Sequence, residues 1–480
     1  MESLVTLPRR GRGSAGSGRP AGAGSVVVAV GAAALLLSSG AAPAFPHGRG
    51  PTTGSGLTAR EITASAYHTC ALTRPRGVKC WGFNDDGQLG DGTKTERRTP
   101  VAVSGLASGV AALAAGEVDT CALTSGGGVK CWGFNGDGQL GDGTKTERRT
   151  PVATSGLASG VAAIAAGARH NCALTSTGGI KCWGDNEYGQ LGDGTTTNRH
   201  APVAVSGLAS GVAAISAGQS HTCALTSAGG VKCWGANDFG QLGDRTTINR
   251  HTPVAVSGLA SGVAAISAGA GHNCALTRGG GVKCWGDNGY GQLGDGTKTE
   301  RRTPVAVSGL ASGVAAIAAG WNHTCALTSR GGVKCWGWND FGQLGDRTTA
   351  DRYAPVAVSG LASGVSAVAV GWDHNCAISS GGRVKCWGWN HFGQLGDGTT
   401  IDRHKPVDVI RALPPCVVPN VIARLLPRAK TTINRAHCRV GKVAFKRSTA
   451  AKTNRVLAVS PKPGSHLKNG AKVALTVGRA

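Results

Sequence analysis

The stretch "CALTSGGGVKCWGFNGDGQLGDGT", residues 121–144, decides the fold, because nearly the same words return six more times in the chain. The cysteine that opens each copy stands at Cys70, Cys121, Cys172, Cys223, Cys274, Cys325 and Cys376, a period of 51 residues. A period of that size, made of short β segments and glycine turns, predicts a β-propeller or a β solenoid. Each unit reads as four strands, illustrated by "PVAV" at Pro100, "VAALAA" at Val110, "TCALT" at Thr120 and "VKCWG" at Val129. The turn "SGGG" joins the last two into a hairpin.

Counting elements predicts how the array ends. The first copy lacks a "PV" strand before it, and the last is followed by "KPVDVI" at Lys405 with no further hairpin. Seven "PV" strands and seven hairpins make seven blades if the two chain ends share one. The expected closure therefore pairs Val407–Ile410 beside Ala59–Ser65, which would remove the exposed sheet edges of an open array.

The loop "WGFNGDGQLGDGT" resembles the signature of the regulator of chromosome condensation repeat family, and the resemblance implies that family's seven-bladed propeller over residues 57–413. Beyond Pro415 the text changes. "VPNV" at Val418, "VGKV" at Val440, "SPKPG" at Ser460 and "KVALTV" at Lys472 resemble a PASTA domain, which implies a small α+β module over residues 416–480 and peptidoglycan as its ligand. That tail holds 14 Lys and Arg and no Asp or Glu, while the middle of the chain is nearly balanced. Such a charge favours anionic wall polymers.

The front end reads as a targeting segment. Arg9, Arg10, Arg12 and Arg19 precede the apolar run "SVVVAVGAAALLL" and then the small residues Ala42, Pro43 and Ala44. That order predicts a secretory signal peptide over residues 1–44, followed by a linker over 45–56. Cysteine usage agrees with export. The partners of the seven opening cysteines are Cys80, Cys131, Cys182, Cys233, Cys284, Cys335 and Cys386, with Cys416 and Cys438 left for the tail. Sixteen paired thiols outside the cell read as disulfides. Cys70 and Cys80 face each other if Leu72 pairs with Val78, since directly opposed Cα atoms lie about 4.5 to 5.5 Å apart, within disulfide range. A zinc site is excluded by donor spacing and by Asp119, which stands where other copies have histidine. No metal and no cofactor is expected.

Trp81, Trp132, Trp183, Trp234, Trp285, Trp336 and Trp387 each follow a cysteine and so point to the opposite sheet face, as inter-blade packing. His68, His170, His221, His272, His323 and His374 are expected as hydrogen-bonded anchors. No nucleophile elbow, phosphate loop or zinc-protease helix occurs, and every recurrent Ser, His or Asp recurs too often to form one active site. A non-enzyme is expected.

The copies differ at one end of the ring, in the loops before each histidine and after each "WG". Thirteen aromatic residues beyond the Cys-Trp set are expected in connections at that end. Among them Trp321, Trp338, Trp372 and Trp389 have no counterparts in repeats one to five. They are expected to form one patch, extended by Tyr290, Phe341 and Phe392, with Asp340 and Asp373 as polar rim contacts. Clustered aromatics of this kind mark interfaces.

The reading that follows is a monomeric protein, secreted or held at the cell wall. Its propeller face takes a protein or glycan partner, and its tail takes peptidoglycan or an anionic wall polymer. Nucleic acid is not expected, because only Phe445 interleaves with the basic residues of the tail. The alternative is a secreted inhibitor, since some secreted bacterial propellers of the resembled family inhibit β-lactamases through such loops. A chromatin or nucleotide-exchange role, also implied by the family, conflicts with the disulfides.

Overall fold

The structure is a computed structural model and describes residues 56–410, 416–436, 438–449, 452–467 and 471–479. The expected signal peptide and all but the last residue of the expected linker lie outside the described residues. The chain divides into two compact units, residues 1–410 and 411–480.

Seven four-stranded antiparallel sheets make up the first unit. Blade 1 consists of Ala59–Ala64, His68–Thr73, Val78–Gly82 and Arg97–Ala102, in that spatial order. Blade 7 repeats the arrangement with Val365–Val370, His374–Ser379, Val384–Gly388 and Arg403–Asp408. The cores lie between blades: Leu72, Val78 and Leu89 of blade 1 pack with Leu113, Ala122 and Trp132 of blade 2.

The expected strand exchange at the seam does not occur. Every "PV" strand pairs with the hairpin before it, Cys80 opposite Val101 and Cys386 opposite Val407, so each blade is one contiguous stretch of chain. The physical reason lies in the long loop after "WG". Asn84 folds it back: Oδ1 accepts the Leu89 N–H, and Nδ2 donates to the carbonyls of Thr93 and Thr95. The Asp91–Arg97 ion pair then sets Arg97 opposite Gly82 in the same sheet.

The ring nonetheless closes. Leu57 takes the place that the leucine of "SGLASG" holds at other joins: its carbonyl accepts the Val384 N–H, as that of Leu361 accepts the Val333 N–H. Ile62, Ala64 and Trp81 of blade 1 pack with Ile378, Val384 and Leu395 of blade 7.

All eight expected disulfides are present. Leu72 pairs with Val78, which puts Cys70 directly opposite Cys80, with a Cα separation of 4.1 Å. The second unit is α+β. The helix Leu426–Arg435 buries Ala429 and Ile433 in a core with Val473, Leu475 and Val477 of its three-stranded sheet. Cys416–Cys438 lies in that core, a staple for a module too small to bury much apolar surface.

Candidate functional site

The variable loops are held by an invariant frame. Trp132 is fully buried, and its Nε1 donates to the carbonyl of Gln88 in the preceding blade at 2.9 Å. The six other Cys-Trp indoles do the same, and Trp81 reaches Gln394 of blade 7 across the seam. Gly294, at φ +69°, shows why the motif reads Gly-Gln-Leu-Gly: a Cβ there would lie 2.6 Å from Nε1 of Trp336.

A second belt runs through the histidines, which are fully buried and open the second strand of their blades. His68 Nε2 meets Thr120 Oγ1 at 2.8 Å, and Thr120 Oγ1 donates to the Gln88 carbonyl. The pattern passes from blade to blade and ends with His374 on Thr69 of blade 1. Asp119 replaces the histidine of blade 2. Its Oδ2 accepts from Asn171 Nδ2 at 2.7 Å, while burial pushes the carboxyl up to about 8.

On this frame the loops of blades 5, 6, 7 and 1 bring their aromatic rings together. Tyr290 touches Trp338, Trp338 touches Phe341, and Phe341 touches Trp389, with centroids 5.4 to 5.9 Å apart. Trp389 continues to Phe392, and Phe392 to Phe83 at 4.7 Å. Tyr67 joins this line to the ring axis, touching Trp389 and Trp372, and Trp372 lies 4.0 Å from Trp321. The four irregular indoles therefore belong to one continuous network, with the tilted and edge-on geometries that aromatic quadrupoles favour.

Two expected members are placed differently. Trp372 is 4% exposed, packed with Ala66 and Ala270 beneath Tyr67 and Trp321, so it supports the patch from below. Asp373 is 6% exposed and is not a rim contact. Burial, then the carboxylates of Asp402 and Asp340, push it up to about 7. The reason is position: these loop residues stand nearest the axis, where the backbones of successive loops hydrogen-bond one another, Trp372 N–H to Ser65 and Ala270 N–H to Gly320. Trp321, Trp338, Trp389, Tyr290, Phe341 and Phe392 are half-buried, and Asp340 is exposed.

Three members of the network had no assigned role: Tyr67 and Phe83 from blade 1, and His391, which stacks on Trp389 at an interplanar angle of 7°. Ring closure was the available signal, since it makes blade 1 the neighbour of blade 7. Tyr353 departs from the loop set altogether. It lies in the outer strand Arg352–Ala357, under the Lys298 ammonium, 4.9 Å from its ring centroid. Twelve of the thirteen aromatics, not all, are in connections.

Carboxylates frame the patch. Burial, then the neighbouring Asp340, raises Asp351; burial raises Asp402; burial, then Asp85, raises Glu96. Basic groups stand beside them: Lys298 near Asp351, His404 and His391 near Asp402, and Arg98 near Glu96. The exposed Arg169 lies over Phe134 and 3.6 Å from Asp137.

Comparison with known proteins agrees with the architecture. Residues 42–313 and 109–423 match the RCC1-like domain. The ultraviolet-B receptor UVR8 of Arabidopsis thaliana is 34% identical over 303 residues, which cover 62% of this chain and 69% of that protein. A secretion-regulating guanine nucleotide exchange factor of Mus musculus is 30% identical over 74% of this chain and 82% of its own length. Among solved structures, human WBSCR16 superposes with a TM-score of 0.62 at 24% identity, covering 71% of this chain and 95% of that one. Yeast RCC1 (Prp20), solved bound to Kap60, gives a TM-score of 0.62 at 22% identity, covering 78% and 91%.

Proposed function

Because the chain belongs to the RCC1-like propeller family, we propose that it is a binding protein of the cell exterior, not an enzyme, and that the aromatic loop face is its partner site. The observation that carries this reading is the ring network itself: half-buried aromatics from four adjacent blades on one end, framed by Asp340, Asp351 and Asp402. Half-exposed tryptophans in a polar frame are what binding hot spots consist of. The partner is a protein or glycan that lays apolar surface on Trp338, Phe341 and Trp389.

An exterior location is supported by the eight disulfides, which a reducing compartment would not maintain. Among the described residues no helix is long and apolar enough to cross a membrane. The same disulfides speak against the intracellular exchange-factor role that the mouse relative's name carries. The tail, with its 14 basic residues, is read as the wall-binding module.

The test uses isolated cell wall and culture supernatant. The full chain should sediment with the wall and a chain ending at Pro414 should not, with retention weakened by salt. Trp338→Ala should lose the supernatant or wall partner retained by the wild type. Unchanged partner capture by Trp338→Ala and Phe341→Ala would refute the assignment of the face. Equal wall binding by the truncated chain would refute that of the tail.

A further inference from the structure

The seam between blades 7 and 1 differs from the six other joins in a way that makes a second site. At an ordinary join the linker runs Leu106-Ala107-Ser108-Gly109-Val110, whereas at the seam it runs Leu57-Thr58-Ala59. Leu57 and Ala59 hold the same pairing positions as the leucine and valine, Ala59 opposite Thr73 and Val110 opposite Thr124. The seam is therefore two residues short, and its valine is cut down to alanine.

Both losses open space on the end of the ring opposite the aromatic face. A cleft of about 400 Å³ lies there, lined by Arg60, Arg74, Ser366, Ser379 and Ser380, with Ile378 in its wall. Its volume falls within the range of small-molecule sites, roughly 300 to 1,000 Å³.

The lost residues also change the hydrogen-bond balance. At the other joins the linker glycine's carbonyl caps the hairpin amide of the next blade, as Gly109 caps Ser125 and Gly262 caps Arg278. The glycine that would cap Arg74 is missing, and no described carbonyl replaces it. The guanidiniums of Arg60 and Arg74 form no ion pair among the described residues, and residues 45–58 contain no Asp or Glu that could supply one. Blade 2 has Ala111 and Ser125 at the equivalent positions; blade 5 repeats the hairpin arginine as Arg278, but it has Ala264 where blade 1 has Arg60, so the pair of arginines is particular to this place. An acceptor has been deleted and donors have been added around one cleft.

We propose that the seam cleft is a site for a small phosphate ester, held by the forks of Arg60 and Arg74, the Arg74 amide and the serine hydroxyls. Planar guanidinium forks match phosphate oxygens two at a time, which suits them to this ligand more than to a monovalent anion. Because the ligand touches both blades at the seam, it would also clamp the ends of the ring.

The experiment titrates the full-length, disulfide-intact protein with inorganic phosphate and with glycerol phosphate. Ionic strength is held constant with chloride, and calorimetry and the thermal midpoint are read. Saturable binding with a rise in midpoint is expected, and Arg60→Ala with Arg74→Ser should weaken it by about tenfold or more. Arg278→Ser, the same hairpin position in blade 5 where the linker is complete, should leave it unchanged. Insertion of Ser-Gly between Thr58 and Ala59, with Ala59→Val, should abolish binding while keeping both arginines. If the double variant does not fold, Arg74→Ser alone is read in the same way. No saturable binding, equal binding by the double variant, equal binding by the insertion variant, or an equal response to acetate would each overturn the proposal.

Discussion

Trp336 and Trp338 stand two residues apart and belong to different parts of the molecule. The first is fully buried between blades, its Nε1 on the Gln292 carbonyl, and it has six equivalents. The second is half-buried at the loop face, makes its ring contacts with Tyr290 and Phe341, and among the repeats has just Trp389 as an indole equivalent. Alternation along a strand would put residues two apart on the same face, but the strand ends at Gly337, at φ +106°, and Trp338 leaves into the loop. The contrast teaches that in a repeat protein, recurrence marks the frame and departure from recurrence marks what the frame presents.

Breaking the frame should have the largest effect. Trp336→Ala removes a fully buried indole and leaves the Gln292 carbonyl with the Thr324 hydroxyl alone of its two donors, so a loss of about 3 to 5 kcal/mol is expected in denaturant unfolding. Replacing Cys325 and Cys335 together by serine should come next, about 2 to 3 kcal/mol for a short closed loop, measured the same way under non-reducing conditions.

Sharpening the contrast on the face gives an effect on binding rather than folding. Trp338→Ala should cost about 2 kcal/mol of partner affinity by calorimetry while stability scarcely moves. Trp372→Ala separates the two roles within the patch: buried on Ala66 and Ala270, it should lose stability together with affinity.

The smallest effect concerns the belt. Burial holds the imidazoles low, His68 at about 3 and His221 at about 4, so their contribution is present above 6.5 and is lost as pH falls toward those values. Asp119 behaves oppositely. Its carboxyl is raised from 3.8 to about 8, so its contribution is present below the lower value and lost as pH rises to the upper. Asp119→Asn should therefore raise the thermal midpoint more at pH 9 than at pH 5. A gain independent of pH would show that Asp119 is not the group responsible.

Much of this is legible in the sequence. The 51-residue period, the cysteine pairs and the Cys-Trp positions follow from repetition, because a contact made seven times leaves the same residues seven times. Closure differs from the expectation because a count of "PV" strands and hairpins does not reveal which hairpin each strand joins; that depends on Asn84, which turns the long loop back on itself. Trp372 and Asp373 were misplaced for a related reason. Their depth depends on how seven loops crowd the axis, and no single copy carries that information. Tyr67 and Phe83 needed only the circular order of the blades. The cleft at Arg60 and Arg74 rests on two missing residues, which are visible in the sequence only once Leu57 is known to stand for Leu106.

The central claim is that the recurrent tryptophans hold the ring and the irregular ones present a surface. Its most direct test needs no partner: the thermal midpoints of Trp336→Ala and Trp338→Ala, measured side by side with disulfides intact. The account predicts a large fall for Trp336→Ala and nearly wild-type unfolding for Trp338→Ala. Equal falls would contradict it, because Trp338 would then be as much a part of the frame as its neighbour two residues before.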